Sequence, residues 1–142
     1  VEQSKDNPVF YVQYAHARGR SVQRRAAEAG INVDIAALGV ADLSRLSHEA
    51  ELVVIRRLAE WPRLIEIAAR TNEPHRVAFY LYELASDLHA LWNKGNEEPA
   101  LRFLQEDDPD TSQAKIALVQ AVCVVISAGL GILGVKPAEE MR

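Results

Sequence analysis

Cysteine is nearly missing from this chain: Cys123 is the only one among 142 residues. A single thiol excludes a disulfide framework and a cysteine-based zinc site within one chain. It fits a reducing, intracellular setting, and the cytoplasm is the expected location. Glycine and proline are sparse, seven and six residues, and fall mainly at the ends of segments. No apolar run precedes Phe10, so nothing at the start reads as a signal peptide. Residue 1 is Val rather than Met, which reads as an excised piece of a longer protein. Catalytic signatures are missing too: there is no G-x-S-x-G, no phosphate-binding P-loop and no recognisable nucleophile–base pair. The four histidines, His16, His48, His75 and His89, show no metal-ligand spacing such as H-E-x-x-H, and no metal is implied. There is no internal repeat and no low-complexity tract.

What is present suits one globular domain over residues 1–142, 49% hydrophobic and 25% charged, large enough for a core of its own. Leu, Ala, Glu and Arg dominate, which points to an all-α protein. Asn7 is a good N-cap, Pro8 suits the first helical position and Gly30 suits the position after a helix end, so a first helix opens at Asn7-Pro8 and closes at Gly30. Val12, Ala15, Gly19, Val22 and Ala26 give it one apolar stripe, with small residues that invite close packing against another helix. Residues 31–46 read as an irregular connection with room for one helical turn over 34–38. Ser47 is expected to cap a helix ending near Glu60. Pro62 begins another through about Arg70, and Pro74 the next through about Asn93. Residues 93–99 read as a loop, Pro99 as the start of a short helix through Gln105, and 106–110 as an acidic turn. A last helix runs from about Thr111 to Leu133, ahead of Gly134. About five to six helices with short connections make a helical bundle.

Two patterns resemble chemistry and are better explained otherwise. Gly129, Gly131 and Gly134 match G-x-G-x-x-G, but a dinucleotide site needs a strand before the motif and a helix after it. Here the glycines close a helix. Residues 116–135 carry no charge over twenty positions, long enough to span a bilayer. Yet Ile116, Val119, Cys123, Ile126, Leu130 and Leu133 form a heptad-like seam, and Gln120 and Ser127 are polar, which fits a central helix buried on all sides. Cys123, on the seam, is expected to be inert core.

The net charge of −4 argues weakly against bulk attraction to nucleic acid. Its distribution says more. Residues 7–27 contain no acid but carry Arg18, Arg20, Arg24 and Arg25. On a helix, Tyr11, Tyr14, Arg18 and Arg25 project together, roughly 100° from the apolar stripe. Unpaired RNA bases are held by such aromatic and guanidinium planes. A solvated helix face balanced by acids elsewhere gives the same pattern, as do tyrosines packed along a core with only the hydroxyl exposed. Phe79, Tyr80 and Tyr82, then His89 and Trp92, bring a second aromatic series. Trp92 reads as an exposed ring, Trp61 as a plug between helices, and Phe79 and Leu88 as core. His75, in a helix first turn, is expected to make a structural hydrogen bond. Met141 is an apolar residue in a polar tail, which suggests a contact.

The run Asn7-Pro8-Val9-Phe10-Tyr11-Val12-Gln13-Tyr14-Ala15-His16-Ala17-Arg18, with Ser21-Val22 after it, closely resembles the opening of the arginyl-tRNA synthetase anticodon-binding domain. Leu58-Ala59-Glu60-Trp61-Pro62, Glu73-Pro74-His75-Arg76 and Tyr80-Leu81-Tyr82-Glu83-Leu84-Ala85 are similar to later blocks of that family, in order. So are Gly129-Leu130, Leu133-Gly134-Val135 and Pro137-Ala138-Glu139-Glu140-Met141, and the resemblance spans the chain.

The resemblance implies a helical bundle that grips the anticodon stem-loop of arginine tRNA. Tyr11, Tyr14 and Arg18 would lie against unstacked anticodon bases, Trp92 would fill the family's aromatic position, and Met141 would close over the loop from the tail. Trp92 departs from a commoner Tyr, Arg20 adds charge where many members are neutral, and residues 114–118 follow the pattern loosely. The family's H-I-G-H-type and K-M-S-K-type motifs are not in this sequence. Arginine activation with ATP and magnesium, and transfer to tRNA, are therefore expected of a catalytic domain outside it, and no cofactor is expected within these residues. The competing readings are a free-standing helical domain that recruits a protein partner and a small membrane protein using residues 116–135.

Overall fold

Helix α1, Pro8–Glu28, starts where the sequence supplies an acceptor and a preset backbone. In the computed structural model, which describes residues 7–141, Asn7 Oδ1 accepts from the N–H groups of Val9 and Phe10 at 3.0 and 3.4 Å. Pro8 takes the first helical position, where no N–H is needed. The helix closes on Gly30 at φ +85°, where Ile31 N–H donates to Ala26 O and Gly30 N–H to Ala27 O. This left-handed closure favours glycine. The reading of Val1 as the start of an excised piece lies outside the described residues.

The single-turn helix α2 (Ile35–Leu38) and a 3₁₀ turn (Leu43–Arg45) fill the first connection. They are followed by α3 (Glu49–Ala59), α4 (Trp61–Thr71), α5 (His75–Glu97), a second 3₁₀ turn (Pro99–Leu101) and α6 (Pro109–Ile132). Among the described residues there is no strand. Five long helices and one single turn match the expected all-α bundle. Helix α1 packs against both α5 and α6, and α3 and α4 lie against α5.

Helix α6 supplies the seam read from its sequence: Ile116, Val119, Cys123, Ile126 and Leu130 are all buried. Two glycines bring helices close to one another. A Cβ on Gly19 of α1 would stand 2.4 Å from Cys123 Sγ, and one on Gly129 of α6 would stand 2.7 Å from the Leu81 methyls of α5. Gly134, at φ +75°, ends the segment after α6. These placements account for two of the three glycines in G-x-G-x-x-G without a nucleotide. Burial pushes the Cys123 thiol up to about 12, so it stays protonated and unreactive. By length and composition α6 could cross a bilayer, and more than half of its most apolar 18-residue stretch is buried within the bundle.

Several expectations need correction. Helix α3 is capped by His48 rather than Ser47: His48 Nδ1 accepts from Ala50 N–H at 3.0 Å while Glu51 Oε1 accepts from His48 N–H at 3.2 Å. A capping box formed by histidine is invisible to a search for hydroxyl caps. Helix α5 continues through residues 93–97, because Gly95 is buried against the following turn and its carbonyl accepts from Arg102 Nε at 3.1 Å. The helix expected from Pro99 shrinks to one 3₁₀ turn. Helix α6 begins at Pro109, because Asp108 Oδ1 accepts from Thr111 N–H at 3.1 Å. It is also not buried all round: Val124 and Ile132 are each 54% exposed. Phe79, read as core, is 66% exposed. Its neighbour Tyr80 is the buried ring, donating its hydroxyl to Arg57 O at 2.5 Å. His75 is exposed and its Nε2 lies 3.8 Å from Glu73, too far for a hydrogen bond. Trp61 packs on Tyr80, 5.3 Å between ring centres, in the corner expected of it.

Candidate nucleic-acid interface

Tyr11, Tyr14, Arg18 and Arg25 leave α1 on one side, as the 3.6-residue period requires. Helix α5 runs alongside in the same direction: Tyr11 meets Tyr82 and His89, and Arg18 meets His89 and Trp92. The result is a ladder of rings. Ring centres lie 4.9 Å apart for Tyr82–Tyr11, 4.6 Å for Tyr11–His89 and 5.4 Å for His89–Tyr14. Phe10 stacks on Tyr14 at 6.3 Å.

Two guanidiniums extend the ladder. The Arg18 guanidinium lies 4.4 Å from the Tyr14 ring centre and 4.8 Å from that of Trp92, and Arg25 lies 5.7 Å from Trp92. Such contacts hold a cation on an aromatic face with roughly 0.5–2 kcal/mol each. Among the described residues neither arginine pairs with an acid. Arg45, Arg56, Arg57, Arg70 and Arg76 all do.

His89, expected only as a member of the second aromatic series and not as a site residue, is the link between the two helices. Arg18 Nη1 donates to His89 Nδ1 at 3.1 Å, and His89 Nε2 lies 3.4 Å from Tyr11 O. Arginine can only donate, so Nδ1 must carry the lone pair and Nε2 the proton. Burial lowers the His89 pKa, the Tyr11 carbonyl opposes this, and the Arg18 charge adds to the lowering. The ring is therefore held neutral, as its acceptor role demands. A signal was available in the sequence: His89 lies seven residues after Tyr82 and three before Trp92, on the same side of a helix.

Trp92, expected as an exposed ring, is instead half-buried, with its centre 6.0 Å from that of Phe103. Met141 is half-buried in the tail, and the ladder forms without it. That tail lies along the outer side of α1. Gln13 bonds Lys136 O and Ala138 N–H at 2.7 and 2.6 Å, and Arg20 pairs with Glu139 at 3.3 Å. Arg24 reaches Glu139 O at 3.4 Å, and His16 Nδ1 lies 2.5 Å from Ala138 O. Gln13, Ala17, Arg20 and Arg24 form one row on the helix surface. The tail covers that row, and Ala17 is only 6% exposed although it faces away from the bundle.

Fold and face together define an all-α domain whose accessible chemistry is stacking and unpaired positive charge. Among the described residues no group of three or more His, Cys, Asp or Glu converges to hold a metal. The DALR anticodon binding domain family matches residues 12–141, and the chain belongs to that family. The whole chain is 72% identical to part of the arginine–tRNA ligase of Ruegeria pomeroyi and 66% identical to part of that of Paracoccus denitrificans. It spans 24% of the length of each. An arginyl-tRNA synthetase structure from Campylobacter jejuni has the same fold over 99% of this chain and 28% of its own, with a TM-score of 0.77 at 20% identity.

Proposed function

We propose that this chain is the anticodon-binding part of an arginine–tRNA ligase and that its α1–α5 face grips the anticodon stem-loop of arginine tRNA. The observation that supports this most is Arg18: a guanidinium that pairs with no acid among the described residues and lies over two rings, 4.4 Å from Tyr14 and 4.8 Å from Trp92, held there by a neutral His89. A planar anion-bearing partner matches all three surfaces. Unstacked loop bases would lie on Tyr11, Tyr14 and Trp92, Arg18 and Arg25 would take phosphates, and Met141 would close over the loop from the tail. ATP, magnesium and the ligation itself belong, in this reading, to a catalytic domain in the rest of a longer cytoplasmic enzyme. These residues alone would be inactive. Ile35, Val40 and Leu43, exposed apolar side chains of one connection, are the surface proposed to meet that domain.

The test is a titration with an arginine-tRNA anticodon stem-loop at low and moderate salt, with a non-arginine stem-loop alongside. Selective, salt-sensitive binding is expected. Tyr14→Ala and Trp92→Ala should each weaken it by about 1–3 kcal/mol, the range for a stacked base. Near-native affinity in both folded variants would remove the ladder from the binding site, and equal affinity for both stem-loops would reduce the activity to general RNA binding.

A further inference from the structure

The four arginines of α1 are divided between two sides of the helix. Arg18 and Arg25 stand over the rings and pair with no acid among the described residues. Arg20 and Arg24 stand on another side and engage the chain beyond α6. Arg20 Nε lies 3.3 Å from a Glu139 carboxylate oxygen, and Arg24 Nη1 donates to Glu139 O at 3.4 Å. Arg20 Nη1 is steadied in turn by Gln23 Oε1 and Gln120 Oε1, which accept from it at 3.0 and 3.4 Å.

The tail meets these side chains in a fixed register. Gly134, at φ +75°, turns the chain out of α6, and Val135 N–H donates to Leu130 O at 2.8 Å. Pro137 favours extended backbone at Lys136 and has no N–H of its own to satisfy. The groups on either side of it are both taken by one side chain: Gln13 Nε2 donates to Lys136 O at 2.7 Å, and Gln13 Oε1 accepts from Ala138 N–H at 2.6 Å. One turn along α1, His16 Nδ1 lies 2.5 Å from Ala138 O. A carbonyl only accepts, so Nδ1 carries the proton. Ala138 is therefore held by both of its backbone groups, and the tail cannot slip by a residue without losing them. Met141 follows two residues after Glu139, so its Cα stays within roughly 7 Å of the last clamped residue. Freed at Gly134, the segment as far as Met141 could range over about 25 Å. A free tail must be ordered at each binding event, which lowers affinity, whereas a clamped one is ordered on folding.

We infer that Gln13, His16 and Arg20 are positioning residues for RNA binding. They lock residues 136–139 on the flank of α1, present Met141 to the loop already ordered, and do not touch the RNA themselves. The inference rests on the reading above that Met141 closes over the loop, and it gives Arg20 to the tail rather than to a phosphate.

The test uses the 142-residue chain, with each variant shown to be folded by thermal unfolding. Two quantities are read: hydrogen exchange of the Ala138 amide without RNA, and affinity for the arginine anticodon stem-loop. Gln13→Ala should release the protection of that amide. It should weaken the stem-loop by roughly threefold to tenfold, within the coupling range of contacting residues, and by no more than Met141→Ala does. In a Met141→Ala background Gln13→Ala should weaken binding no further, and it should leave the salt slope unchanged, since no phosphate contact is lost. His16→Asn, which keeps an N–H on the atom after Cγ, should retain the protection that His16→Leu loses. Arg20→Glu should weaken binding, and adding Glu139→Arg, which restores the pair with reversed charge, should recover it. Protection retained in Gln13→Ala would overturn the clamp. Lost protection with parental affinity, while Met141→Ala is weakened, would overturn the inference and leave Met141 on the loop. Additive losses of Gln13→Ala and Met141→Ala, or an Arg20→Glu loss that Glu139→Arg does not recover, would set Gln13 or Arg20 against the RNA itself and overturn it too. Unchanged binding by Met141→Ala, with Tyr14→Ala weakened, would overturn the role of the tail and this inference with it, while the ladder stands. No binding by the parent chain would overturn the RNA-binding reading as a whole.

Discussion

Glu51 does two jobs with one carboxylate. Its Oε1 accepts from His48 N–H to close the cap of α3, and its Oε2 lies 2.9 Å from Lys115 Nζ of α6. Both side chains are buried, each residue 3% exposed. Glu51→Ala would leave an ammonium in the core without a counter-charge, at a cost of about 3–5 kcal/mol, to be read from the urea midpoint. A loss below about 1 kcal/mol, the range for exposed pairs, would show that water reaches Lys115. His89 carries a pH dependence of known sign. Its folded pKa is lowered, first by burial, while the unfolded value is about 6.5. The unfolded chain therefore binds the extra proton first. The contribution of His89 to stability is fully present above about pH 6.5 and is lost as pH falls through the lowered value. Protonation would also take from Arg18 its acceptor at Nδ1. Urea unfolding near neutrality and near pH 5 should show that acid weakens the parent chain more than His89→Gln. Equal losses would mean that the ring is already solvated.

At the scale of the element, the helices that the sequence made readable were those with local punctuation. Asn7, Pro8 and Gly30 bound α1 through bonds that span only a few residues. The end of α5 was misread because its support comes from Arg102, beyond the helix. The crossing of α1 and α6 was hinted at by small residues in the α1 stripe, though not the partner that meets them. Gly19→Ala should cost about 1–3 kcal/mol through overpacking, since its Cβ would stand 2.4 Å from Cys123 Sγ and 3.3 Å from Val119 Cγ1. In a Cys123→Ala background, where the sulfur is gone, the same change should cost less, a coupling that a double-mutant cycle measures. Equal costs in the two backgrounds would show that the helices shift apart instead.

For the whole molecule, net charge is a poor guide to where charge can act. The chain carries −4, yet many of its acids are engaged by Arg45, Arg57 and their like. Arg18, Arg25 and Arg102, unpaired among the described residues, gather around Trp92. Binding by that face should thus depend on salt despite the negative total. Arg18→Ala should flatten the plot of log affinity against log salt by about one if the guanidinium reaches a phosphate. An unflattened plot would assign Arg18 to a base or to the scaffold.

The sequence by itself determined the all-α class, most helix starts, the seam of α6 and the side of α1 on which Tyr11, Tyr14, Arg18 and Arg25 stand. Each depends on caps and periodicity within a few turns of one helix. Only the tertiary structure decided that Tyr80 rather than Phe79 points inward, because three aromatics in four positions leave the inward direction to the partner helices. Only the tertiary structure joined Arg18 to His89 across 71 residues, strapped the tail to Gln13 across more than 120, and set Arg102 beside Trp92. Those contacts depend on how the helices pack, and no spacing along the chain encodes that directly.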